Sequence, residues 1–203
     1  MAISADFGAH RHAAMLAKAD TRHGRTDADE KGRTVNDHSY EVSVSWTGDR
    51  GTGTSGYRDY GREHVVSATG KPDVPGSADP TFRGDRDRWN PEEMVVAALA
   101  QCHMLSYLHV AVTQGFTVVD YRDTATASLR LNRDGSGELT AATLHPVVTI
   151  LEADRVADAE AAHVTANELC FIARSVAFTV HHEPQLVVRP ASLAGDSSTG
   201  GAD

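Results

Sequence analysis

Cysteine is nearly absent from this chain: Cys102 and Cys170 are the two among 203 residues. A domain of this length buries roughly 60–70% of its unfolded surface, so it needs no disulfide lattice to fold and its two cysteines call for another reason. Paired metal-ligand spacings of the C-x-x-C kind are also missing, and the eleven histidines follow no ligand spacing. The adjacent His181 and His182 fall on an expected strand and so face opposite sides, and no metal is expected. Lysine is limited to Lys18, Lys31 and Lys71, and 28 acidic against 19 basic residues give a net charge of −9. That balance argues against a nucleic-acid partner, whose phosphates are bound by a basic face. No basic segment followed by an apolar block opens the chain, so the cytoplasm is the expected compartment. Residues 94–119 lack Asp, Glu, Lys and Arg but include Gln101, His103, Ser106, Tyr107, His109 and Gln114. That pattern reads as a helix buried on most sides in a core, not as a membrane span.

What is present reads as α+β. Residues 1–36 mix Gly, Asp, Arg, His and Thr without a sustained period and are expected to form a flexible extension. Residues 37–190 then form one domain, and 191–203 a flexible Gly/Ser/Asp tail. Tyr40, Val42, Val44 and Trp46 alternate with polar residues, the pattern of a half-buried strand, and residues 62–69 supply its partner. A long loop at 70–89 leads to Asn90-Pro91-Glu92-Glu93, which carries an N-cap, a proline at the first helical position and an acid at the third. A helix should start there and stop at Gly115. Runs 118–131 and 138–151 flank a turn-forming segment and read as a hairpin; a second helix at 156–174 and a last strand at 178–188 complete the order β-β-α-β-β-α-β.

Each cysteine has two readings. Free cysteine is among the most buried residue types and packs as a small hydrophobe. Alternatively the pair is reactive, which requires a cation or helix N-terminus to favour the thiolate; His103, one residue along the helix, points about 100° away from Cys102. Glu92 and Glu93 offset the helix dipole and complete a capping box whatever the protein does.

The segment Asn90-Pro91-Glu92-Glu93-Met94-Val95-Val96-Ala97-Ala98-Leu99-Ala100-Gln101-Cys102 resembles the signature helix of the OsmC/Ohr proteins, thiol-dependent hydroperoxide reductases. The stretch Glu168-Leu169-Cys170-Phe171-Ile172-Ala173-Arg174-Ser175-Val176 is similar to the second-cysteine region of the same family, and the element order agrees. The resemblance covers residues 38–188. It implies an intertwined homodimer and a two-cysteine peroxidase for organic hydroperoxides, in which Cys102 attacks the peroxide, Cys170 resolves the product as a disulfide, and an external dithiol restores both without a bound cofactor. It also implies a glutamate and an arginine beside the reactive thiol. Glu92 matches the first; Arg83, in Phe82-Arg83-Gly84, is preferred for the second over Arg50 in the first hairpin. Ten residues of unbroken helix would hold Glu92 about 15 Å from Cys102, so either the helix is interrupted or another subunit completes the site. Phe82, Trp89, Met104 and Phe171 are candidates for an organic pocket. Two other readings stand beside the enzyme: a non-catalytic small-molecule-binding or redox-sensing protein on the same fold, and a structural domain with inert buried thiols.

Overall fold

The computed structural model describes residues 26–28 and 34–189, so most of the expected extension and tail lies outside the described residues. The chain divides into two units, 1–42 and 43–203. Within the first, strands β1 (Thr26–Ala28) and β2 (Thr34–Asn36) pair antiparallel, inside the segment expected to be a plain extension.

The second unit opens with β3 (Ser43–Trp46), β4 (His64–Ser67) and β5 (Val74–Gly76), an antiparallel sheet in the order β3-β4-β5. Two expectations change here. The strand begins at Ser43 and is exposed along its length, with Val44 66% and Trp46 47% exposed, because no helix among the described residues covers it. The long loop at 70–89 contributes β5, which carries Pro75 and is tolerated because it lies at the sheet edge. The β3–β4 connection is pinned where Gly61 N–H donates to the Gly48 carbonyl at 2.8 Å. A Cβ on Gly48 would lie 2.3 Å from the Gly61 carbonyl oxygen, so this approach requires glycine.

Helix α1 (Pro91–Gln114) has the limits that its capping residues dictate. Glu93 N–H donates to Asn90 Oδ1 at 2.8 Å, Asn90 N–H donates to Glu93 Oε2 at 3.3 Å, and Gly115 ends the helix at φ 76°. Its burial differs from expectation. Leu99, His103, Tyr107, Val110 and Ala111 form one buried stripe, while Leu105 and Val112 are 63% and 80% exposed. By length and composition α1 could cross a membrane, yet its buried stripe is polar at His103 and Tyr107 and packs against protein.

Three long strands follow, each bent midway so that it serves two sheets: β6 (Val118–Asp123) with β7 (Thr126–Leu131), β8 (Gly137–Leu144) with β9 (Pro146–Ile150), and β10 (Thr179–His182) with β11 (Gln185–Val188). The sheets run β11-β9-β6 and β10-β8-β7, antiparallel on one side of the central strand and parallel on the other. Proline explains two of the breaks that the continuous apolar runs conceal, since Pro146 and Pro184 have no N–H for the ladder. At the first of these breaks Asp123 Oδ1 accepts the His145 N–H at 2.8 Å.

Helix α2 (Val156–Leu169) is shorter than expected, because Cys170 adopts extended backbone (φ −73°, ψ 107°) as its C-cap and the chain turns through residues 173–175. It runs antiparallel to α1. Arg155 Nη2 donates to the Gln114 carbonyl at 2.7 Å, Tyr107 Oη to the Ala159 carbonyl at 2.8 Å, and His103 Nε2 meets His163 Nδ1 at 3.0 Å. The two imidazoles are nearly coplanar, with centroids 5.3 Å apart, which is an edge-to-edge bond along the ring axes and not a stack. His182 from β10 leans on His103 at 4.3 Å, and Tyr107 stacks on His163 at 4.2 Å. As expected for neighbours on a strand, His182 turns inward and His181 stays exposed.

Burial, reinforced by the neighbouring histidines, pulls His103 down to about 3; burial and His182 pull His163 to about 4. Both are therefore neutral in the folded state while the unfolded chain takes up protons near the ordinary imidazole value of about 6.5. Their contribution to stability is complete above that value and is lost as pH falls toward 4, with a slope of up to about 2.7 kcal/mol per pH unit for two protons. Urea unfolding at pH 7.5 and pH 5 should show the midpoint dropping steeply at the lower pH; equal midpoints would contradict neutral burial of the pair.

Candidate thiol site

Successive residues on one face of α1 bring Ala98, Cys102, Leu105 and His109 into line. With Leu169 and Phe171, supplied where α2 ends, they wall a mostly apolar groove of about 580 Å³. Cys102 is half-buried in this groove, and Phe171 is 78% exposed at its side.

Cys170 is buried behind it. Its Sγ accepts the Ala173 N–H at 3.4 Å, and the Cys102 thiol lies near enough to act on its titration. Burial first, and the neighbouring Cys102 second, push the Cys170 thiol up to about 11, so it is protonated at neutral pH. The structure therefore brings the two cysteines, 68 positions apart in sequence, near one another as free thiols.

The remaining site candidates lie elsewhere in this chain. Helix α1 is uninterrupted from Pro91 to Gln114, which leaves Glu92 about 15 Å along the axis from Cys102. Glu92 lines a second cleft of about 580 Å³ on another side of α1, together with Asp79, Trp89, Ala97 and Asp123. Gln101 borders both clefts. Glu93 is occupied in the capping box. Arg83 is exposed, with its guanidinium 5.3 Å from the Tyr57 ring centroid, in neither cleft. Its φ of 69° makes it the one non-glycine residue at positive φ among the described residues. Arg50 is exposed in the β3–β4 connection. Of the apolar candidates, Phe171 lines the thiol groove, Trp89 lines the second cleft, and Phe82 and Met104 line neither.

Sequence reasoning passed over His163, which anchors α2 beside the thiols. Among the described residues no group of three His, Cys, Asp or Glu side chains is arranged to hold a metal ion.

A family profile described as OsmC-like protein matches residues 84–184, from the loop before α1 to the break between β10 and β11. An OsmC-like protein of unknown function from Vibrio cholerae is 30% identical, with 72% of this chain and 99% of that chain covered at a TM-score of 0.65. The organic hydroperoxide resistance protein OsmC of Legionella pneumophila is 23% identical over 75% of this chain and 100% of its own, TM-score 0.55. Organic hydroperoxide resistance protein OhrB of Bacillus subtilis is 22% identical over 73% and 98%, TM-score 0.50. These last two share the fold. No protein in the curated set matches the chain. With both cysteine regions, the bent-strand topology and a 30% identical relative matched over nearly its whole length, the chain belongs to the OsmC-like family.

Proposed function

We propose that this protein is a thiol-dependent peroxidase that reduces organic hydroperoxides, with Cys102 as the attacking and Cys170 as the resolving thiol. The observation that carries the reading is the proximity of two free thiols, one of them in the wall of an apolar groove open to a small organic molecule.

The Cys102 thiolate attacks the terminal oxygen of the hydroperoxide. An S–O bond forms, the O–O bond breaks and the organic oxygen leaves as alcohol after taking a proton, leaving Cys102 as a sulfenic acid. Cys170 then attacks the sulfenic sulfur, losing its thiol proton as the S–S bond forms. Its proton leaves with the hydroxyl as water and the Cys102–Cys170 disulfide forms. An external dithiol reopens the disulfide by exchange, so each turnover consumes one hydroperoxide and one dithiol. A reducing compartment such as the cytoplasm suits a site that rests as two free thiols.

A cation must stabilise the thiolate and the departing oxygen, and among the described residues no lysine or arginine of the same chain lines the groove with Cys102. A homodimer supplies one. Ala97 lies midway between Glu92 and Cys102, so a two-fold axis crossing α1 near Ala97 brings Glu92 of the partner subunit level with Cys102. Ala97, Ala98 and Ala100 permit a close helix crossing, and the exposed apolar residues Leu105 and Val112 gain cover. Glu92 would then orient the Arg83 guanidinium, donated to the reacting oxygens, through a bidentate pair. The lack of a lysine or arginine among the described residues lining the groove of the single chain favours the second reading, a redox-sensing or small-molecule-binding protein, should the subunits not associate in this way.

Consumption of tert-butyl hydroperoxide with a dithiol should be abolished in Cys102→Ala, while Cys170→Ala should accumulate a sulfenic acid trappable by a dimedone-type reagent. An unmodified Cys102 after excess peroxide would reject the enzyme. Because a left-handed conformation costs a non-glycine residue about 1 kcal/mol or more, Arg83→Gly should leave thermal stability unchanged or raised while slowing peroxide consumption by about tenfold or more. A slow Arg50→Ala protein beside a normal Arg83→Gly protein would reassign the cation. Mixing and reassembling Cys102→Ala with Glu92→Gln subunits should restore activity that neither has alone, since a shared site is intact once per mixed dimer; no recovery would place both groups in one chain.

A further inference from the structure

The face that α2 presents to α1 consists of Ala159, Ala162 and Ala166, each fully buried, with His163 among them. Methyl groups make a shallow ridge, and shallow ridges resist sliding weakly. Register along α1 must therefore be set by directional contacts. Three exist among the described residues: the exposed Arg155–Gln114 bond at one end, the Tyr107–Ala159 bond in the middle, and the His103–His163 bond nearest the thiols. The last is buried at both partners, with His103 0% and His163 3% exposed.

Cys170 moves with α2. Its N–H donates to the Asn167 carbonyl at 3.2 Å, its carbonyl accepts the Arg174 N–H at 3.1 Å, and Ser175 Oγ donates to the Phe171 carbonyl at 2.8 Å. Disulfide closure tolerates Cβ separations of about 3.5–4.5 Å. That window of about 1 Å is narrower than the ~1.5 Å rise of one helical residue, so a slip of a single residue separates the pair.

We propose that His103 and His163 are positioning residues for the thiol pair: their buried hydrogen bond fixes α2 along α1 and holds Cys170 level with Cys102. Setting register is the best-attested use of a buried polar contact. The inference rests on the peroxidase reading for its functional consequence, which is that losing the bond slows disulfide closure and spares the first attack. The geometric claim stands apart from it, because neither imidazole lines the groove where peroxide would bind.

The test uses the full chain in glutathione redox buffers at pH 7.5, where the fraction of Cys102–Cys170 disulfide gives the effective concentration of one thiol at the other. His163→Leu should lower it about tenfold, the equivalent of one buried hydrogen bond. His163→Asn, whose amide occupies roughly the place of Nδ1, should restore most of the loss. The double variant His103→Leu/His163→Leu removes both partners, leaves no unpaired imidazole, and should show the same tenfold fall. Sulfenic acid formation at Cys102 with tert-butyl hydroperoxide, read in a Cys170→Ala background, should keep its rate in all three. An unchanged effective concentration in a folded double variant overturns the proposal, as does equal behaviour of the Leu and Asn variants. If His163→Leu fails to fold, the double variant against the Asn variant decides the matter by the same comparison. A native protein inert to peroxide would remove the peroxidase reading and leave the glutathione result intact.

Discussion

The antiparallel contact between α1 and α2 is the interaction on which the rest of the molecule depends. Its α1 side is His103, Tyr107, Val110 and Ala111, and its α2 side is a row of alanines interrupted by His163. Every other layer is referenced to this pair. β9 and β11 contribute Val148, Ile150 and Leu186 to the core around Tyr107, while β8 and β10 close over Leu99 with Leu144 and Val180. The thiols lie at the end of the contact where α2 terminates, so the same packing that forms the core determines how the two sulfurs are placed.

Helix α1 was legible in the sequence because its limits are local events. A cap, a proline, an acid three positions on and a terminal glycine act within one turn, and the structure places them as the spacing predicts. The strand interruptions at residues 145–146 and 183–184 were less legible. Apolar alternation continues across them, and a proline marks where hydrogen bonding stops without revealing that the strand changes sheets. The shortened α2 has a similar origin, since helical periodicity continues past Leu169 while Cys170 is drawn into extended backbone by its turn. The alternation in β3 suggested half-burial that the strand does not have, because alternation reports a face that needs cover, not a face that this chain covers.

The candidate site divides along the same line. The pairing of Cys102 with Cys170 came from family motifs, and their proximity follows from helix packing. His163 was not legible because its partner is 60 positions away and nothing in its local sequence distinguishes it from a surface histidine. Glu92 and Arg83 belong to a different class. The distance of Glu92 from Cys102 within one chain is a consequence of an unbroken helix, and no refinement of local reading could bring them together without a second copy.

The alanine row of α2 makes the tolerance of this core one-sided. Where two helices meet through methyl groups, the space between them holds no removable bulk, and a valine or leucine at Ala162 or Ala166 would force the axes apart by overpacking. Drift toward glycine costs helix propensity and little else in geometry. In this chain the groove wall at Leu105, Leu169 and Phe171 can therefore change without altering the helix spacing, while the layer beneath it admits only small residues.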